Sequence, residues 1–236
     1  MDVTPELERR IAGIAALDLP VRRDLYRLLC AADGEWLSRD DVSDALAIGR
    51  PVAAFHLDKL VDAGVLETRF ERRTGRSGPG AGRPSKLYRP VDSEVAASVP
   101  ERHYDLAGSL LAAAVAEATR TGAPVAECLR AAAHAAGAAV GADARAAADA
   151  VDAAAAPDAV AAVLRDHGYE PAPDAAGDLA LANCPFHRLA EEQRELVCGM
   201  NLDFLGGVLE GLGPDTGLSA RLQPEPGYCC VRVSPR

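Results

Sequence analysis

The sequence has little of several residue classes, and each shortage narrows the kinds of protein it can encode. Aromatic residues make up only 4% of the 236 residues while alanine dominates residues 107–163, so the middle of the chain is predicted to be helices packed closely through small side chains. No apolar run of about 18 residues is present and the first residues lack a signal-peptide pattern. We therefore expect a cytoplasmic protein without a membrane partner.

Cysteines are also few, and phosphate-binding loops are missing. The six cysteines are too few for a disulfide scaffold, and four of them fall within residues 184–230. In a reducing compartment such a group is more often a ligand or redox set than a set of bridges. Neither G-x-G-x-x-G nor G-x-x-x-x-G-K-[ST] occurs, so the glycines of 78–82 do not predict a nucleotide loop.

Positive charge is scarce overall but concentrated in one segment. The chain has a net charge of −10, yet residues 69–89 carry seven Arg or Lys against one acid. Residues 1–92 hold 15 basic and 15 acidic side chains, which leaves 10 and 20 for residues 93–236. This asymmetry is typical of a nucleic-acid-binding part joined to an acidic part that does not touch the polyanion.

Three helices and a hairpin are predicted before residue 92. Ser38 offers an N-cap for the second helix, and Gly49 suits a positive φ in the turn that follows it. The helices are predicted to begin near Pro20, Ser38 and Pro51, and the strands to cover Leu66–Arg72 and Lys86–Pro90. This order predicts a winged helix-turn-helix over residues 1–92, with the basic segment as its wing.

The third helix is the predicted reading helix. Its apolar side leaves Phe55 pointing outward, where it would meet a thymine methyl group, or else pack on the wing or a neighbouring helix. A solvated linker is the alternative for residues 69–89. The predicted DNA-binding residues are Arg50, Pro51, Phe55, His56 and Lys59 on the helix and Arg72, Arg73, Arg76, Arg83 and Lys86 on the wing.

Residues 15–92 resemble a known family of regulators. The stretch from Arg50 to Leu60, RPVAAFHLDKL, with Ala63–Leu66 and Gly80–Tyr88, is similar to the ArsR-type winged-helix transcription regulators. The resemblance implies a homodimer that binds an inverted repeat in double-stranded DNA. Half-sites would then lie about 10 base pairs apart or a multiple of that distance.

The remainder of the chain is predicted to be α+β. Helices are expected near 101–121, 124–140 and 143–167, followed by strands at Leu179–Leu181, Leu218–Leu222 and Cys229–Val233 and by an apolar helix that ends at Gly213. The predicted division is a helical linker or dimerisation region over 93–168 and a small sensor domain over 169–236. The whole chain is thus an N-terminal winged helix-turn-helix, an Ala-rich helical middle and a C-terminal α+β domain.

Spacing limits how the C-terminal cysteines can meet. One straight helix over 184–198 would separate Cys184 from Cys198 by about 21 Å, so a shared site requires a break, expected at Ala190–Gln193. Adjacent strand residues face opposite sides, so one of Cys229 and Cys230 is expected to be a bystander. The remaining three thiolates, with His187 or an exogenous ligand, suit an iron-sulfur cluster or zinc. Small buried cysteines without a cofactor are the alternative.

These cysteines also resemble a known pattern. Cys184, Cys198 and the Cys229–Cys230 pair are similar to those of the SufR-like regulators of iron-sulfur cluster assembly, which implies a cluster that controls repression. The chain departs from that group because residues 199–228 contain no further cysteine. We therefore expect a transcriptional regulator and not an enzyme. It is expected to act as a repressor controlled by a cluster, metal or redox signal. A regulator that binds a small apolar effector is the alternative.

Overall fold

The polypeptide divides into two compact units between Ala97 and Ser98. The structure is a computed structural model that describes residues 4–72, 84–147, 156–174 and 177–236. Each unit has its own apolar core. The α+β fold class is confirmed, while the domain boundaries predicted at residues 92 and 168 stay predictions.

The first unit is a winged helix-turn-helix. Its three strands form an antiparallel sheet in the order β1-β3-β2, with Thr68 opposite Tyr88. The predicted helices and hairpin are confirmed, and a further helix before them, capped by Thr4, was not predicted. The elements are α1 (Pro5–Ala16), α2 (Pro20–Ala31), β1 (Leu37–Ser38), α3 (Arg39–Leu46), α4 (Arg50–Asp62), β2 (Leu66–Glu71) and β3 (Ser85–Pro90).

The turn between α3 and α4 differs from its prediction in one residue. Ser38 caps α3 as expected, because its hydroxyl accepts from the backbone N–H of Asp41 at 3.3 Å. Ala47, however, takes the left-handed conformation at φ 51, whereas Gly49 has φ −61 and stands at the N-cap of α4. The role assigned to Gly49 was therefore wrong: the helix C-cap, where the chain reverses, lies two residues earlier.

The second unit packs helices on a four-stranded antiparallel sheet in the order β4-β5-β7-β6. The predicted break between Cys184 and Cys198 is confirmed, since one short helix ends at Glu192 and the next begins at Arg194. No described helix is long and apolar enough to cross a membrane. The elements are α5 (Tyr104–Thr121), α6 (Val125–Ala147), α7 (Ala156–Asp166), β4 (Pro171–Pro173), β5 (Leu179–Leu181), α8 (His187–Glu192), α9 (Arg194–Leu212), β6 (Leu218–Leu222) and β7 (Val231–Pro235).

Helices α6 and α9 lie backbone against backbone. A Cβ atom added to Gly137 of α6 would overlap the carbonyl oxygen of Phe204, and one added to Gly207 of α9 would overlap the carbonyl oxygen of His134. Gly141 and Gly211, one turn further along each helix, are in the same situation. The predicted close packing through small residues is thus present, and glycine makes the closest approach between the two helices possible.

Candidate DNA interface and cysteine site

The outer side of α4 presents the residues predicted to read DNA. Ala53, Leu57 and Leu60 are fully buried, so the opposite side of the helix faces solvent. On that side Phe55 is 56% exposed and Val52 is 45% exposed. The outward direction predicted for Phe55 is confirmed, and its contact with DNA stays a prediction.

His56 differs in character from its exposed neighbours. Its ring is half-buried and packs edge-on against Phe55, with the ring centroids 5.1 Å apart. Burial lowers the pKa of His56, and the nearby Arg22 lowers it further. A lowered pKa leaves the imidazole neutral at pH 7, so His56 contributes no positive charge to a phosphate contact.

Three of the four predicted Arg and Lys residues that the structure describes have acidic neighbours. Arg50 lies 2.7 Å from Asp40, Lys59 lies 3.3 Å from Asp62, and Lys86 lies 2.7 Å from Asp58. Arg72 is exposed at the end of β2. Arg73, Arg76 and Arg83 of the wing lie outside the described residues.

Two other arginines of the basic segment pack on an aromatic ring. The guanidinium carbons of Arg69 and Arg89 lie 4.6 Å and 4.9 Å from the centroid of the Trp36 ring. Arg69 also pairs with Glu71 at 2.6 Å, and Arg89 donates to Glu67 at 2.9 Å. These two cations therefore stabilise the base of the wing, so the charge available to DNA is smaller than the sequence alone indicates.

Asp58 joins α4 to the wing. Its carboxylate accepts hydrogen bonds from Lys86 Nζ at 2.7 Å and from the hydroxyl of the fully buried Tyr88 at 3.0 Å. Burial acts to raise the pKa of Asp58, but these two hydrogen bonds and nearby positive charge outweigh it and lower the pKa overall. Burial and the same hydrogen bond raise the pKa of Tyr88 to about 12.

Replacing Asp58 by alanine is expected to lower the free energy of unfolding of the first unit by about 1–2 kcal/mol at pH 7. The Tyr88 hydroxyl loses its acceptor, while the half-exposed pair with Lys86 contributes little. A lowered folded-state pKa stabilises above the unfolded pKa, so the difference from wild type shrinks as the pH falls below about 4. Urea unfolding followed by fluorescence of Trp36, the single tryptophan, measures it.

Asp62→Ala is the matched control for this prediction. Asp62 lies on the same helix, but it is exposed and pairs with the exposed Lys59. We expect the free energy of unfolding of Asp62→Ala to stay within about 0.5 kcal/mol of wild type both at pH 7 and below about pH 4. Equal losses of stability for the two variants would show that the Asp58 contacts do not hold α4 to the wing.

In the second unit, all four C-terminal cysteines lie beside one cavity. Cys184 lies between β5 and α8, Cys198 is in the second turn of α9, and Cys229 and Cys230 stand just before β7. The backbone N–H of Cys229 donates to the carbonyl of Leu181 at 2.8 Å, which holds this segment against the end of β5. The cavity has a volume of about 420 Å³ and is also lined by His187, Glu191 and Arg194.

The four sulfurs form two pairs. Cys198 and Cys230 form a disulfide with their Cα atoms 6.3 Å apart, and the thiols of Cys184 and Cys229 hydrogen-bond to each other. Cys229 and Cys230 both line the cavity, and which of them would bind a metal stays a prediction. The predicted strand from Cys229 begins only at Val231, so strand alternation does not apply to these two residues.

The two free cysteines beside the cavity differ in acidity. The hydrogen bond from Cys229, with smaller help from the Phe186 backbone N–H and the charge of Arg102, lowers the pKa of Cys184 against the effect of burial. That same hydrogen bond and burial raise the pKa of Cys229. Cys184 is thus the more acidic thiol of the pair, and Cys229 is the one that donates the hydrogen bond to it.

Three polar residues near these sulfurs were not predicted. The Asn201 amide donates to Cys229 Sγ at 3.2 Å, and the hydroxyl of Tyr169 donates to the Asn201 oxygen. Arg102 donates to Asn183, the residue before Cys184. Asn201 and Tyr169 are 1% and 2% exposed. The sequence did carry a sign of such a hydrogen bond, because Asn201 is a polar residue in the middle of a largely apolar helix and a buried polar side chain needs a partner.

His187 lines the cavity but does not complete a catalytic pair. Its ring nitrogen lies 3.3 Å from the Glu191 carboxylate, and both side chains are exposed. The partner of Cys184 is Cys229, so the arrangement does not form a thiol-histidine pair. Within the described part of the chain, no three His, Cys, Asp or Glu side chains stand ready to hold a metal ion. In this state the disulfide removes two of the four sulfurs from coordination.

Comparison with known proteins identifies the first unit. Residues 17–69, which extend from the end of α1 into β2, match the model of a helix-turn-helix domain family. No curated protein matches the chain. The matched segment contains α2, α3 and α4, so the chain contains a helix-turn-helix domain of the kind that binds DNA.

Proposed function

We propose that this protein is a transcriptional regulator whose DNA binding is controlled by the state of Cys184, Cys198, Cys229 and Cys230. The helix-turn-helix domain supports the first part of the proposal. The meeting of all four cysteines beside one cavity, although they are spread over residues 184–230, supports the second. The proposed protein is a homodimer that binds an inverted-repeat operator and acts as a repressor.

The donor set fits a soft metal centre once the disulfide is reduced. Reduction gives four thiols around one cavity, with His187 at its edge. Four sulfur ligands suit an iron-sulfur cluster, which would supply sensitivity to iron or oxidants, and they also suit zinc. The residues of the chain contribute Cys184, whose pKa the hydrogen bond from Cys229 lowers, and the Asn201 hydrogen bond to Cys229.

Anaerobic purification of the full-length protein tests the proposal. We expect visible absorption with iron and sulfide, or bound zinc, and DNA affinities that differ at least about fivefold between the loaded and emptied forms. Cys184→Ser, Cys198→Ser or Cys229→Ser should each reduce the bound metal to background. Cys30→Ser is the control, because Cys30 is exposed and belongs to the first unit.

Two outcomes would contradict parts of the proposal separately. If the protein held no metal and its DNA affinity were unchanged by reduction, oxidation or thiol alkylation, the proposed sensor role of the cysteines would be wrong and the DNA-binding function would stand. If the protein bound metal through these cysteines but enriched no duplex from a random library, the proposal that it regulates transcription would be wrong.

A further inference from the structure

The reading helix offers mainly apolar side chains to a base pair. Pro51, Val52 and Phe55 are exposed on the first turns of α4, and the last two are 45% and 56% exposed. Residues 50–62 contain no asparagine or glutamine, the side chains that pair with adenine in the major groove. A base contact made by Pro51, Val52 or Phe55 must therefore recognise an apolar feature of DNA.

The charged side chains of α4 already have partners. Arg50 and Lys59 pair with Asp40 and Asp62, and Asp58 accepts from Lys86 and Tyr88. Lys59 and Asp62 also lie near the far end of the helix from Val52. Direct hydrogen bonds to base edges would first have to replace these ion pairs, whereas the apolar side chains are exposed without any rearrangement.

We propose that Phe55 and Val52 recognise the C5 methyl groups of two neighbouring thymines. Thymine is the one base of DNA that presents a methyl group in the major groove. The two residues are three positions apart on one face of α4, a rise of about 4.5 Å, which is close to the spacing of about 3.4 Å between successive bases. The inference rests on the proposed DNA-binding function and names the chemical feature that the helix-turn-helix domain recognises.

Replacement of thymine by deoxyuridine tests the inference, because it removes the methyl group alone. A duplex is first selected from a random library with the full-length protein, and each thymine is then replaced in turn. Burial of one methyl group is worth about 0.8 kcal/mol, so we expect about a fourfold decrease in affinity at each contacted thymine. The decreases should fall at adjacent positions in each half-site, and other thymines should show none.

Protein variants assign the contact. Phe55→Ala should bind the parent duplex more weakly and should no longer distinguish thymine from uracil at one of the sensitive positions. Val52→Ala should do the same at the neighbouring position. Ile14→Ala is the matched control, because Ile14 is 46% exposed but lies on α1, and it should keep the fourfold differences.

The outcomes separate this inference from the function on which it rests. Tight binding of a selected duplex with no thymine sensitive to replacement overturns the inference and leaves DNA binding intact. Sensitivity that persists unchanged in both Phe55→Ala and Val52→Ala also overturns it, since other residues then make the contact. A library from which nothing is enriched overturns both.

Discussion

Replacing Gly137 or Gly207 by alanine is expected to lower the free energy of unfolding of the C-terminal unit by about 3 kcal/mol. At either position the new methyl group would overlap a carbonyl oxygen of the facing helix. A helical carbonyl cannot turn away without breaking its own hydrogen bond, so α6 and α9 must move apart and lose packing along their shared face. Urea unfolding followed by circular dichroism of the helices measures the decrease.

Gly199→Ala in α9 is expected to have the opposite effect on the free energy of unfolding. Gly199 also lies within α9, but an added Cβ meets nothing within 4 Å. Alanine there removes only the conformational freedom of glycine, so stability should rise by about 0.5–1 kcal/mol. If Gly137→Ala and Gly199→Ala unfolded at the same urea concentration, the close approach of α6 and α9 would be refuted.

Removing the wing arginines is expected to weaken DNA binding by about a hundredfold or more. The variant replaces Arg72, Arg73, Arg76 and Arg83 by alanine. Removal of one phosphate interaction should reduce the slope of log affinity against log salt by about 0.9, so removal of four should change it by up to about 3.6. The weakening should be similar for all sequences, because phosphate contacts position the protein and do not read bases. Fluorescence anisotropy over a range of salt concentrations measures both quantities.

Arg69→Ala is the matched control within the same basic segment. Arg69 packs on Trp36 and pairs with Glu71, so its replacement is expected to leave the salt slope unchanged. An unchanged slope in the four-residue variant would show that the basic segment is a linker and not a DNA-binding wing. If Arg69→Ala reduced the salt slope equally, Arg69 would have to leave the Trp36 ring and contact a phosphate when the protein binds DNA.

Much of the first unit was predictable because its signals are local. Ser38 as a cap and the apolar stripe of α4 each act within a few residues of sequence. The break before α9 was also predictable, because helix geometry alone forbids Cys184 and Cys198 from meeting along one straight helix. In both cases, chain geometry left few alternatives.

The parts that were missed depend on partners distant in sequence. Asn201 and Cys229 are 28 residues apart, and Tyr169 and Asn201 are 32 apart, so no local pattern announces either hydrogen bond. The pairing of Cys198 with Cys230 depended on where β7 begins, and the prediction placed that start two residues too early. Likewise, the alanine-rich composition indicated close packing but did not identify α9 as the partner of α6.

The glycine contacts between α6 and α9 also determine how a movement of Cys198 is transmitted to other parts of the unit. Cys198 is in the second turn of α9, and Gly207 and Gly211 lie beyond it on the same helix. Because backbone meets backbone there, α9 cannot slide or rotate past α6 without overlap. We therefore expect a displacement of Cys198 to move α6 and α9 together along the length of α9, which is about 28 Å for its 19 residues.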